Sequence, residues 1–61
     1  MKQYKIVEVY DEKTVETTTD NFEVAIQVIR NQQDGNTSPA DSVELYTYWQ
    51  GKYTLVGQIE L

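Results

Sequence analysis

The stretch Asp20-Asn21-Phe22-Glu23-Val24-Ala25-Ile26-Gln27-Val28-Ile29-Arg30-Asn31-Gln32-Gln33-Asp34-Gly35 decides how the rest of the chain is read. Phe22, Ala25, Ile26 and Ile29 recur at i, i+3, i+4 and i+7, which is one face of an α-helix. Val28 flanks that face and Val24 falls on the far side. Asp20 is of the type that caps a helix N-terminus, and Glu23 stands three residues on, where a capping box needs it. Asp34-Gly35 supplies a glycine stop, so the helix is expected to end near Gln33.

On the N-terminal side, Gln3 to Tyr10 is rich in β-branched and aromatic residues and reads as a strand. Asp11-Glu12-Lys13 is a polar turn, and the threonine-rich Thr14 to Thr19 reads as a second strand suited to a sheet edge. Asn36 to Asp41, with Pro39, is a loop. Val43 to Trp49 and Tyr53 to Ile59 both alternate, with Gly51 between them, and form a second hairpin. The expected fold is α+β in β-β-α-β-β order: a four-stranded, largely antiparallel sheet with one helix packed on one face. Its 61 residues allow a single small domain spanning 1–61. Strand order is left open.

Register decides which side chains the lone helix covers. A three-residue loop around Gly51 places Val43, Leu45, Trp49, Tyr53, Leu55 and Ile59 on one face, which makes a good core. A two-residue loop pairs Trp49 with Lys52 and mixes the faces, so the first register is preferred. A loop of Asp11, Glu12 and Lys13 puts Val7, Val9, Val15 and Thr17 on one face of the first hairpin. The uncovered side of the sheet is then expected to display Tyr4, Ile6, Tyr10, Tyr46, Tyr48 and Val56 among Glu8, Glu16 and Glu44. Tyrosine offers a large contact area at low entropy cost and is enriched where proteins meet. Tyrosine and threonine are also ordinary residues of a half-wet sheet.

Composition narrows the functional classes. Ten Asp plus Glu against five Lys plus Arg give a net charge of −5, and Arg30 is the single arginine. A duplex-binding protein usually carries a basic face, so the charge argues against direct nucleic-acid binding. There is no cysteine and no histidine, which removes disulfides, thiolate metal sites and the commonest catalytic base. No run approaches the roughly 20 apolar residues of a membrane helix, and an alternating pattern stands where a signal peptide would have its apolar core. A cytoplasmic location without membrane contact is expected.

Motifs that resemble chemistry lack required members. Asp34-x-Asn36-x-Ser38 opens like a calcium loop, but Pro39 and Leu45 stand where glycine and glutamate are needed. Asn36-Thr37-Ser38 fits the glycosylation sequon, which matters only in a secreted chain. Tyr48 and Lys52 have a dehydrogenase-like spacing without any dinucleotide fold, and Ser38 and Ser42 have no histidine to activate them. Paired carboxylates such as Glu8, Asp11, Glu12 and Glu16 need a cleft for acid–base work. No catalytic residue, cofactor or metal ligand is therefore expected. The reading is a non-enzymatic interaction module with a protein partner or a second copy of itself. The alternative is a small acidic inhibitor or nucleic-acid mimic that blocks a basic site.

Overall fold

The computed structural model describes all 61 residues. Strands β1 (Tyr4–Val9) and β2 (Thr14–Thr19) precede helix α1 (Phe22–Gln33), and β3 (Ser42–Trp49) and β4 (Lys52–Glu60) follow it. The four strands form one antiparallel sheet in the order β2-β1-β3-β4, so β1 is central and pairs with both β2 and β3. The β-β-α-β-β order and the α+β class are as the sequence suggests. No helix is long and apolar enough to cross a membrane.

The helix begins one residue later than the capping pattern predicts. Asn21, in extended conformation, is the cap, and its side chain accepts from the Glu23 N–H at 2.9 Å. Glu23 is then the second helical residue and still stands where a negative charge favours the helix dipole. Asp20 serves the sheet instead. It accepts from the Gln3 N–H at 2.9 Å and faces the Lys2 ammonium at 3.5 Å. The backbone hydrogen bond holds its carboxyl below the usual aspartate value. At the other end, the Gly35 N–H donates to the Gln32 carbonyl and the Asn36 N–H to the Asn31 carbonyl, the Schellman arrangement. Gly35 has φ +74°, the left-handed conformation that this stop requires.

Both hairpin registers differ from the expected ones. In the first, Val9 pairs with Thr14 and the loop is Tyr10 to Lys13, closed by the Tyr10 N–H on the Lys13 carbonyl at 2.8 Å. Ile6 therefore faces Thr17, Glu8 faces Val15 and Val7 faces Glu16. In the second, Trp49 does pair with Lys52, across a two-residue turn of Gln50 (φ 49°) and Gly51 (φ 84°). Two successive positive φ values match a type I′ turn, whose twist suits a hairpin. The mixing of faces that this turn implies is undone by a bulge. Leu45 pairs with Gly57 but Tyr46 pairs with Leu55, leaving Val56 as the extra residue on β4. Val43, Leu45, Gly57 and Ile59 thus share the helix side, while Tyr53 and Leu55 move to the opposite side.

The core is small. Ile6 and Ala25 are fully buried and Val43 is nearly so, with Tyr4, Val28, Ile29 and Leu45 packed around them. The side of β1 that meets the helix therefore carries Tyr4, Ile6 and Glu8, not Val7 and Val9. A buried carboxyl is tolerable there because Gln32 comes to meet it. Gln32 Nε2 donates to Glu8 Oε2 at 2.6 Å and also lies 3.1 Å from the Tyr10 hydroxyl and the Ser38 carbonyl. Its Oε1 accepts from the Ala40 N–H at 3.1 Å. One amide thereby joins the helix end, the following loop and the central strand.

Replacing Gln32 by Leu leaves the Glu8 carboxyl and the Ala40 N–H without partners. The expected cost is about 1–3 kcal/mol, read as a lower urea midpoint. Adding Glu8→Leu should recover part of it, and a single variant as stable as the parent would show that the amide bonds contribute nothing net.

Candidate interaction surface

The structure divides the tyrosines differently from the expected pattern. Tyr46 and Tyr48 lie on the side of the sheet away from the helix, as expected, and Tyr53 joins them. Tyr4 and Ile6 do not. Ile6 is fully buried under the helix, and Tyr4 packs beside it with its ring 5.4 Å from Phe22. Tyr10 lies just beyond β1, where its hydroxyl donates to the Ser38 carbonyl at 3.1 Å. Val56 is the bulged residue and is 56% exposed.

The expected acidic contacts also separate. Glu8 is buried against Gln32 and presents nothing to a partner. Glu16 and Glu44 lie on the open side, each engaged locally. Glu16 stands 3.5 Å from the Lys5 ammonium, and Glu44 accepts from the Tyr46 hydroxyl at 2.9 Å. That hydrogen bond, reinforced by burial and the negative charge of Glu44, raises the Tyr46 hydroxyl above the usual tyrosine value.

The open side is thus a lattice closed on itself. The Lys5 ammonium lies 4.9 Å from the Tyr46 ring centre and 4.7 Å from that of Tyr53, within the range of cation–π attraction. Tyr48 and Tyr53 meet edge to face at 5.3 Å. The Tyr53 hydroxyl donates to the Lys2 carbonyl at 2.7 Å. Under this cover Val7 is only 9% exposed although no helix lies on that side. Lys5 and Tyr53 are the members that sequence reasoning missed. The signal for Tyr53 was the turn glycine: a two-residue turn at Gln50-Gly51 sends it to the side of Tyr48, its strand partner.

The helix side is less complete. The helix packs over β1 and β2. Beside it, Ile29, Val43, Leu45, Gly57, Gln58 and Ile59 line a mainly apolar groove of about 200 Å³. Along β3, Trp49 lies further down the same side and is 66% exposed. At the other end, a recess formed by Tyr10, Asp11, Glu12, Lys13, Pro39 and Asp41 is dominated by carboxyls. A hydrogen bond with Asp11, together with its charge, pushes the Asp41 carboxyl above the usual aspartate value. The folded chain therefore holds that proton more tightly than the unfolded chain does. The contribution to stability is present at acid pH and is lost as pH rises through the folded value.

Two outcomes check this electrostatic picture. In an ultraviolet titration, Glu44→Gln should lower the pH at which Tyr46 ionises; an unchanged curve would remove Glu44 as the cause. Asp11→Asn should make thermal stability at neutral pH rise relative to that at acid pH, because it removes the charge that Asp41 opposes. Equal shifts at both pH values would place the effect elsewhere.

Comparison with protein-family models, with curated proteins and with solved structures finds no match.

Proposed function

We propose that the chain is a non-enzymatic interaction module that binds another protein through its second hairpin. The observation that carries this reading is the concentration of bare apolar side chains there. Trp49, Leu55 and Val56 are 66%, 47% and 56% exposed, and they belong to one hairpin, β3–β4. Trp49 lies on the helix side and Leu55 on the open side, so the hairpin offers apolar contact on both of its faces. Tryptophan is among the residues that dominate binding energy in interfaces. Tyr46 and Tyr48, on the neighbouring open side, would flank the contact as a polar-tipped rim. The reading thus keeps these two residues and Val56 from the sequence-based surface and replaces the others with Trp49 and Leu55.

The acidic-inhibitor alternative has less to draw on. It needs carboxylates in rows, whereas Glu8 is buried and Glu16 and Glu44 are engaged by Lys5 and Tyr46. The acids that stay together, Asp11, Glu12 and Asp41, form one small end of the molecule.

The test uses a Trp49→Ser, Leu55→Ser variant. Trp49 is largely solvated and Leu55 about half so, and the urea midpoint should stay near that of the parent, within about 1 kcal/mol. Affinity capture from extract, at low and high salt, should retain a partner on the parent chain and lose it on the folded variant. Identical retention by the two would sink the reading, and partner retention abolished by salt alone would turn attention to the acidic end.

A further inference from the structure

The groove on the helix side can be read further, resting on the interaction module just proposed. Strands in a sheet lie roughly 4.8 Å apart, so the outer axes of four are separated by roughly 14 Å. A helix with its side chains is about 10 Å across. Such a sheet has room for two helices side by side, and this chain supplies one, over β1 and β2. The room left over β3 and β4 has an apolar floor, made by Leu45 and Ile59, and an apolar wall, made by Ile29.

Gly57 adds an independent observation. It lines the groove, its φ is not in the left-handed region, and a Cβ built on it meets no atom within 4 Å. A glycine inside a strand marks either a bulge, here the adjacent one at Val56, or a place where a ligand or another backbone approaches closely. Here it lowers the floor of the groove where a side chain would have filled it.

Charge indicates what comes to lie there. The end of the groove at the Val43–Ile59 pair adjoins Asp41, two residues before Val43, and Asp41 is held beside Asp11. We propose that the groove receives a cationic amphipathic helix of a partner protein, lying beside α1 with basic residues over the Asp11–Asp41 end. Lys13 is the one cation that lines this end, against the three carboxyls of Asp11, Glu12 and Asp41.

Two other occupants fit less well. A second copy would bring its own α1, whose exposed face mixes Phe22 and Val24 with the polar Glu23, Gln27, Arg30 and Gln33, a poorer match to an apolar floor than a continuous apolar stripe. It would also bring a second net charge of −5. An extended strand could add to the free edge of β4, but the bulge at Val56 interrupts that edge midway, a known way of discouraging strand addition.

The probe is a synthetic peptide of about 14 residues, roughly 20 Å as a helix, with leucines at i, i+3, i+4 and i+7 and lysines elsewhere. Controls are a peptide of the same composition in alternating order and one with glutamates in place of the lysines. Binding is followed by amide chemical shifts and by the fluorescence of the single tryptophan, Trp49. The lysine helix should shift Ile29, Leu45, Gly57 and Ile59, and it should bind at least roughly tenfold more tightly than either control, about 1.4 kcal/mol. Gly57→Leu, which fills the groove from open space, should fold normally and weaken binding by at least a similar factor. Asp41→Lys, at an exposed position, should weaken it without touching the groove.

Equal binding of the glutamate peptide or the alternating peptide would overturn the proposal, as would undiminished binding to folded Gly57→Leu. Shifts confined to Lys5, Tyr46 and Tyr53 would also overturn it while leaving the second hairpin as an interaction surface. A dimer of the chain alone that Gly57→Leu dissociates would assign the groove to a second copy instead. Failure of the module itself is read separately, from the Trp49→Ser, Leu55→Ser variant.

Discussion

The fold depends on turning one particular row of the central strand inward. Tyr4, Ile6 and Glu8 face the helix, and only Ile6 among them is a simple core residue. Glu8 can occupy that row because Gln32 donates to it at 2.6 Å from the last turn of the helix. The same amide takes the Ala40 N–H and reaches the Ser38 carbonyl, which ties down the loop leading into β3. Burying a carboxyl without such a partner would cost several kcal/mol, a large part of the stability a chain this size can have. The polar contact thus selects the face, and the apolar contacts among Ile6, Ala25 and Val43 then build on it.

The outward row follows from that choice. Lys5, Val7 and Val9 are left on the open side, where a lysine would ordinarily extend into water. Instead Lys5 lies against the Tyr46 and Tyr53 rings and faces Glu16, and Val7 is covered. An antiparallel sheet with one solvated face is common. This one gives that face its own covering of rings and stems, while the helix side of the second hairpin stays partly bare.

Much of the fold was legible in the sequence, and much of the surface was not. The helix stripe from Phe22 to Ile29, the glycine stop at Gly35 and the alternation in both hairpins located every element. Those signals depend on local periodicity. Register depends on loop length and on contacts far apart in the chain. Both rows of β1 contain aliphatic residues, so alternation alone cannot choose between them, and Glu8 points the choice the wrong way unless Gln32 is known to reach it. On alternation alone the turn at Gln50-Gly51 is disfavoured, since it mixes the faces. The bulge at Val56 that separates them again leaves no mark on an alternation pattern. Tyr46, Tyr48, Glu16 and Glu44 lie on the expected side because loop length turns β2 and β3 as the alternation suggests; Tyr4, Ile6 and Glu8 lie on the other because β1 is turned over.

The position of β1 in the sheet has a consequence for how the chain acquires its structure. One neighbour of β1 is β3, and paired residues such as Tyr4 with Thr47 and Val9 with Ser42 are far apart in sequence. Contacts of such long span are slow to form because loop-closure entropy opposes them before they contribute anything. The β1–β2 hairpin can close early, but by itself it is only marginally stable in water. Ile6 therefore stays uncovered on the β3 side until β3 pairs with β1. The middle seam of the sheet, between β1 and β3, is thus the one that closes after the hairpins on either side, which makes arrival of β3 the expected rate-limiting event in folding.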